Sequence, residues 1–326
     1  MSYRNNYVDI IKKICIKYII DLKNLPTIVY NKELITYKSI FRFSISNKYN
    51  NDSYNKTREN IIGAIINKII PNSYYIKSNL WNKLYTDIFN YISLLSNNIK
   101  YNSIIVKHMG GRKYNYDMKF IFYLNNIIIS EFNIEFKFNC NSISNSPQFI
   151  SPTKPSVFLS NSYEQYFYDN YLSIVAAKYK LKMPSRDIYI KTINSTKPDI
   201  MKSYKELYDK GCSKHTKFSG NTNDIEFYNY LNKLSKLSII EFIKITDLDY
   251  TKLSKYLYDT QKDKIYMLYY NNSFILEKPN INNFNIINVI KNKNRYDCIS
   301  ENGAIIKVLL RWKNGNGIAF PAFQIS

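Results

Sequence analysis

Residues 117–138 read DMKFIFYLNNIIISEFNIEFKF, two runs rich in β-branched and aromatic residues separated by Asn125-Asn126. Such runs predict strands, and an Asn pair between them predicts a tight hairpin, because Asn tolerates the positive φ that the turn requires. In the second run Ile134-Glu135-Phe136-Lys137-Phe138 alternates strictly. Glu135 and Lys137 therefore share one strand face, while Ile134, Phe136 and Phe138 share the other. Asp117 opens the first strand, and closing the hairpin carries it to the end of the second, near Glu135. A strict two-residue loop places Asp117 opposite Ile134, on the wrong face. One β-bulge, or a loop of odd length, restores Asp117 opposite Glu135.

Working outward, SIIVKHM at 103–109 predicts a third strand before the Gly110-Gly111 turn, so a β-meander follows a helical beginning. Helices are expected at 7–22, at 56–70, stopped by Pro71, and at 80–95. In the second of these Ile61, Ile62, Ile65, Ile66 and Ile69 make one apolar face, with Arg58 and Glu59 near its start. After a Ser/Asn/Pro-rich loop at 141–155, residues 162–181 predict a helix studded with Tyr and Phe, and residues 224–260 are helical again. From Lys264 the runs KIYMLYY, SFILEK, INVIK, AIIKVLLRWK and IAFPAFQI predict strands, the last two flanking the turn Asn314-Gly315-Asn316-Gly317. The expected class is α/β, with a catalytic region at 1–260, including N-terminal helices, and a small β module at 261–326. No repeat of solenoid length is present.

Lys and Arg number 46 against 25 acidic residues, a formal charge of +21. Self-repulsion of that size points to a polyanionic partner, nucleic acid before a membrane surface. Met1-Ser2-Tyr3 carries no myristoylation motif, the apolar residues of 8–20 are broken by Lys12, Lys13 and Lys17, and no apolar run approaches the ~18 residues of a membrane span. Between Lys178 and Lys217 eleven Lys and Arg face four acids, a local charge of +7. Cys15, Cys140, Cys212 and Cys298 form no CxxC pair, and only His108 and His215 could supplement them, which disfavours zinc. Scattered single thiols suit a reducing compartment, cytoplasm or nucleus, including that of a virus-infected host. The richness in Asn, Ile, Lys and Tyr matches AT-rich coding.

Asp and Glu oxygens hold a hard cation such as Mg²⁺ or Mn²⁺, and a neighbouring Lys stabilises charge or orients a nucleophile. Asp117 and Glu135-Phe136-Lys137, 18 positions apart on successive strands after helices, resemble the PD-(D/E)xK, restriction-endonuclease-like, nuclease superfamily. Tyr116 stands where the motif's name has Pro, and Glu164-Gln165-Tyr166-Phe167-Tyr168 lacks the QxxxY spacing of the RecB-like branch. The resemblance covers about residues 57–190. It implies an αβββαβ core in which the helix at 162–181 supports the sheet. It also implies phosphodiester hydrolysis with Mg²⁺ or Mn²⁺: Asp117 and Glu135 as ligands, the Phe136 carbonyl as another, Glu59 as a weaker match from the N-terminal helix, and Lys137 assisting the attacking water. The bland alternative is an exposed strand whose Glu and Lys form a surface pair.

Elsewhere Gly110-Gly111-Arg112-Lys113 could bring amides and two cations to a phosphate, but no P-loop, Rossmann fingerprint or nucleophile elbow exists. His108 and His215 lack partners and are expected to be structural. Lys202, Lys205, Lys210 and Lys214 in the basic tract, and Arg311 and Lys313 beside the Asn-Gly turn, are expected nucleic-acid contacts, with Gln324 able to reach a base edge. Trp312, Phe320 and Phe323 are expected in a core. The expected function is a Mg²⁺-dependent endonuclease, with DNA favoured over RNA and a homodimer left open. The competing class is a non-catalytic nucleic-acid-binding protein serving viral or plasmid packaging or replication. A third option is an interaction subunit whose charge reflects codon bias alone.

Overall fold

The computed structural model describes residues 25–44, 51–110, 114–145, 148–149, 154–193, 220–312 and 321–326. Helices together with a mixed sheet and antiparallel sheets make it an α/β protein. The chain divides into two compact units, one drawn from positions 1–143 and 264–278, the other from 144–263 and 279–326. This replaces the expected division at 260/261. The cause is KIYMLYY: β7 (Lys264–Tyr270) is buried at six of its seven positions, the signature of a central strand, and it lies parallel to β5 (Ile127–Phe138) rather than with the strands that follow it.

In the first unit a short hairpin, β1 (Ile28–Tyr30) and β2 (Glu33–Ile35), precedes a 3-10 turn at Tyr37–Phe43 and three helices: α1 (Asn51–Ile66), α2 (Asn72–Lys77) and α3 (Asn79–Leu95). The sheet then forms in the order β3-β4-β5-β7-β8, with β3 (Ser103–His108), β4 (Met118–Leu124) and β8 (Ser273–Glu277). All its pairings are antiparallel except β5 with β7. Its apolar face, including Val106, Met118, Phe120, Phe122, Ile134, Phe136 and Met267, packs with Ile61, Ile62 and Ile65 of α1 and Trp81, Leu84, Ile88 and Ile92 of α3. The isoleucines of α1 recur at helical spacing and supply this burial. The helix ends at Ile66, earlier than expected, and Lys68 adopts a left-handed φ of 58° before Pro71.

The second unit holds β6 (Gln148–Phe149), helix α4 (Tyr163–Phe167) continuing through a π-helical turn at Tyr168–Leu172 into α5 (Ser173–Tyr179), then α6 (Arg186–Ile193), α7 (Thr222–Ile245) and α8 (Tyr250–Gln261). An antiparallel sheet completes it in the order β6-β12-β11-β10-β9: β9 (Ile286–Asn292), β10 (Arg295–Ser300), β11 (Ile305–Trp312) and β12 (Pro321–Ile325). The segment expected to support the β3–β5 sheet instead packs here. Tyr163, Phe167, Leu172 and Val175 share one core with Phe242, Trp312 and Phe323 because their aromatic and aliphatic bulk is spent on α7 and β11. Tyr163 Oη accepts from Trp312 Nε1 at 3.1 Å and pairs with Ser238 Oγ at 2.8 Å, so this core closes around a satisfied polar contact. Cys140 and Cys298 are buried free thiols. Among the described residues no helix is long and apolar enough to cross a membrane. The helix expected at 7–22, Cys15, Cys212, His215, Arg112, Lys113, Lys202, Lys205, Lys210, Lys214, Lys313 and Phe320 lie outside the described residues.

Gly63 lets α1 approach the sheet, since a Cβ there would meet His108 Nε2 at 2.6 Å and Tyr30 Oη at 2.7 Å. In a free helix Gly→Ala gains about 0.5–1 kcal/mol, but forcing a methyl into this contact costs about 1–3 kcal/mol. Gly63→Ala is therefore expected to lower stability by about 1 kcal/mol, measured as a reduced urea midpoint. An equal or higher midpoint would mean that α1 does not sit this close to β3.

Candidate active site

The hairpin register builds the site. At the turn Asn125 and Asn126 have φ of 51° and 65°, and Tyr123 faces Ile128. The next pair is Phe122 with Ser130, so Ile129 has no partner and every later pairing is shifted by one. This is the bulge that a two-residue turn requires if Asp117 is to lie beside Glu135. Met118 faces Ile134, Asp117 N donates to Ile134 O at 3.0 Å, and Asp117 Oδ2 accepts from Phe136 N at 2.9 Å. Met109 N donates to Asp117 O at 2.9 Å, fastening β3 to the same point. The Asp117 main chain is thus fastened on both sides, and its carboxylate is held by the Phe136 amide.

Glu135 and Lys137 share the opposite face from Phe136, and Glu135 Oε1 accepts from Lys137 Nζ at 2.6 Å. Their side chains are 12% and 24% exposed, respectively. The neighbouring Lys119–Glu131 pair, at 2.8 Å with exposures of 24% and 41%, is what an ordinary surface pair on this hairpin looks like. A second cation comes from β7, where Lys264 Nζ lies 3.7 Å from Glu135 Oε2 and its side chain is 6% exposed. Lys264 pairs with Asn133 across the parallel ladder, two residues before Glu135, and so falls on the same face. Sequence reasoning missed it. The available signal was a lysine at the head of an otherwise apolar strand, where a buried ammonium needs a carboxylate.

Glu59 on α1 is the third acid of the cluster. Burial, followed by the charges of Asp117 and Glu135, holds its carboxyl well above the ordinary carboxylate range. Asp117 is pushed up to about 7, by burial first and by Glu135 second, with Lys137, the Phe136 amide and Lys264 opposing. Burial works against the charge of Lys137, but Glu135, Asp117 and Glu59 outweigh it and raise its pKa. At Lys264 burial dominates and Lys137 adds to it, so its pKa is lowered despite Glu135. Lys137 and Lys264, with Lys56 acting on Glu59, do not fully offset three clustered and shielded carboxyls, and two of those acids favour retaining a proton.

That shortage of positive charge, together with an all-oxygen donor set, suits a hard divalent cation. Asp117 and Glu135 could hold one, with the Phe136 carbonyl carried on backbone already fastened to Asp117. Among the described residues no group of three or more His, Cys, Asp or Glu is placed to hold a metal. Glu59 influences the cluster electrostatically without completing such a group, and Lys137 stands on one Glu135 oxygen. His108 lies apart from this chemistry: its ring meets Tyr30 edge-on at 5.4 Å, and burial, then Lys56, lower its pKa to about 4. In the second unit Arg311 Nη1 donates to Gln324 Oε1 at 2.7 Å, so these two expected nucleic-acid contacts bind each other on adjacent strands. Trp312 and Phe323 are buried. No family model matches the chain, and neither a curated protein nor a solved structure matches it significantly.

An acid whose folded pKa lies above its unfolded value contributes stability below the unfolded pKa and loses it as pH rises through the folded pKa. For Asp117 the window runs from about 4 to about 7. In EDTA, Asp117→Asn keeps an acceptor for Phe136 N but cannot ionise. It is therefore expected to match the wild type near pH 4 and to exceed it increasingly up to pH 8. The gain is about 1–2 kcal/mol after discounting for partial solvent exposure. Thermal unfolding across this range checks it, and parallel curves would mean that Asp117 is not shielded among acids.

Proposed function

We propose that the chain is a divalent-metal-dependent nuclease acting on phosphodiester bonds, with DNA the favoured substrate and Asp117, Glu135 and Lys137 as its reaction centre. The observation that carries this reading is the meeting of Asp117 with the Glu135–Lys137 pair across a bulged hairpin in a chain of formal charge +21. These residues are those of the PD-(D/E)xK pattern. The order of the first sheet, a three-stranded meander followed by a strand parallel to its third member, is compatible with the core that pattern implies.

A divalent cation, when bound, would polarise the scissile phosphate and lower the pKa of a water. Asp117 and Glu135 would hold it through carboxylate oxygens. Asp117 would release its proton on doing so, which makes binding stronger as pH rises through 7. Lys137 would turn from Glu135 to the phosphate or the attacking water, placing its ammonium where negative charge develops. Phe136 and Ile134, buried on the other face, hold the strand still while this happens.

The direct 2.6 Å Glu135–Lys137 pair and the absence of a three-ligand group among the described residues favour a second reading. In it the chain is a non-catalytic nucleic-acid-binding protein, and the cluster is a structural ion-pair network. Incubation with DNA separates the two. Cleavage is expected with Mg²⁺ and not with EDTA. Glu135→Ala and Lys137→Ala are expected to slow single-turnover cleavage by about 10²–10⁴-fold while changing affinity by less than about threefold, because the many other cations supply the attraction. If both variants cleave as fast as the wild type, this centre is wrongly assigned.

Both readings require phosphate neutralisation, which releases about 0.9 counterion per contact with duplex DNA. Log K is expected to fall with log[salt] at a slope of several units, and neutralising Lys202, Lys205, Lys210 and Lys214 together is expected to flatten it. A wild-type plot that is already flat would remove nucleic acid as the partner.

A further inference from the structure

Glu135 is held at both oxygens. Lys137, its neighbour on the same strand, takes Oε1 at 2.6 Å, and Lys264, arriving on β7, stands 3.7 Å from Oε2. The two lysines differ in environment. Lys137 is the more exposed of the two, at 24%. Lys264 is 6% exposed, and besides the Glu135 carboxylate its ammonium faces the Tyr266 ring, whose centroid is 5.7 Å away. A buried charge of this kind persists only where a fixed opposite charge compensates it. The β5–β7 ladder supplies that fixity, because Lys264 is paired with Asn133 and Tyr266 with Glu135.

We propose that Lys264 is a positioning residue for the reaction centre: it holds the second oxygen of Glu135 in place, so that Lys137 can leave the first oxygen and face the substrate. With Lys264 absent, Lys137 is the one remaining cation paired with Glu135 among the described residues, and releasing it would leave a shielded carboxylate uncompensated. The pair then locks and the ammonium stays on Glu135. With Lys264 present, the carboxylate keeps a counter-charge throughout. This role rests on the nuclease reading above, but the Lys264–Glu135 pairing beneath it does not.

Two measurements keep these apart. The first is a double-mutant cycle in urea and EDTA with Lys264→Met, Glu135→Gln and the double variant. The two changes are expected to be non-additive by about tenfold or more in the unfolding equilibrium constant. Additive effects would overturn the pairing, and the proposal with it. The second is Mg²⁺-dependent single-turnover cleavage of DNA. Lys264→Met is expected to lower the maximal rate about 10–100-fold, the usual cost of losing a partner behind a reacting group. The DNA concentration at half-maximal rate should change by less than about twofold, and Lys264→Arg should recover most of the loss. A variant that is merely destabilised would lose folded protein but not the rate per folded molecule, which the urea data correct for. Wild-type rates in Lys264→Met, or a loss confined to DNA affinity, would overturn the role. No cleavage by the wild type under any divalent cation would overturn the nuclease reading, and this role with it, while leaving the pairing as measured in EDTA.

Discussion

Ile129 has no partner across the β4–β5 hairpin, and the arrangement of the site follows from that one extra residue. Side chains on a strand alternate with a period of two, so a slip of one position exchanges faces. Without the bulge, Asp117 would lie opposite Ile134 and its carboxylate would be separated from Glu135 by the thickness of the strand. With it, the Asp117 side chain reaches the Phe136 amide just past the end of β4. The apolar side chains of β4 and β5 keep the shift in place: Met118, Phe120, Phe122, Ile134 and Phe136 all belong to one core, and returning to the unbulged register would expose part of that set.

The same core sets how close α1 comes. Gly63 leaves room for the side chains of His108, at the end of β3, and Tyr30, and one turn earlier Glu59 is brought within electrostatic reach of Asp117 and Glu135. Arg58, next to Glu59, turns the other way. Its guanidinium lies 3.4 Å from the centroid of the Phe138 ring and its Nε donates to Arg42 O at 2.8 Å, fully buried. Adjacent residues of one helix thus clamp the end of β5 and place an acid within electrostatic reach of Glu135, near that same end of the strand. Close packing and the perturbed carboxyls have one cause, since shielding from water is what raises Glu59 and Asp117.

The parallel pairing of β5 with β7 has a further consequence. Parallel neighbours need a long crossover, and here positions 144–263, part of the second compact unit, intervene in sequence between them. The strand that returns carries Lys264 at its head. A cation from the far side of that insertion therefore completes an ion cluster begun on a hairpin, which ties the charge balance at Glu135 to the integrity of the whole sheet.

Much of this was legible in the residues themselves. Period-two alternation put Glu135 and Lys137 on one face, Asn125-Asn126 marked the turn, and parity required either a loop of odd length or a bulge if Asp117 was to join them, because these are local rules of backbone geometry; that it is the bulge was decided by the fold. The isoleucine spacing of α1 and the apolar run of β7 likewise announced a helix and a strand. The partner of each element was not legible. KIYMLYY reads the same whether it pairs with β5 or with later strands, and the helix beginning at Tyr163 shows the same aromatic face whichever sheet it covers, so the expected domain boundary and the expected supporting helix were both displaced. Lys264 escaped notice because its meaning depends on a carboxylate 129 positions earlier. Local sequence determined which side chains share a face. Only the tertiary structure decided which faces meet, because strand pairing is chosen by the summed burial of the whole chain rather than by any one segment.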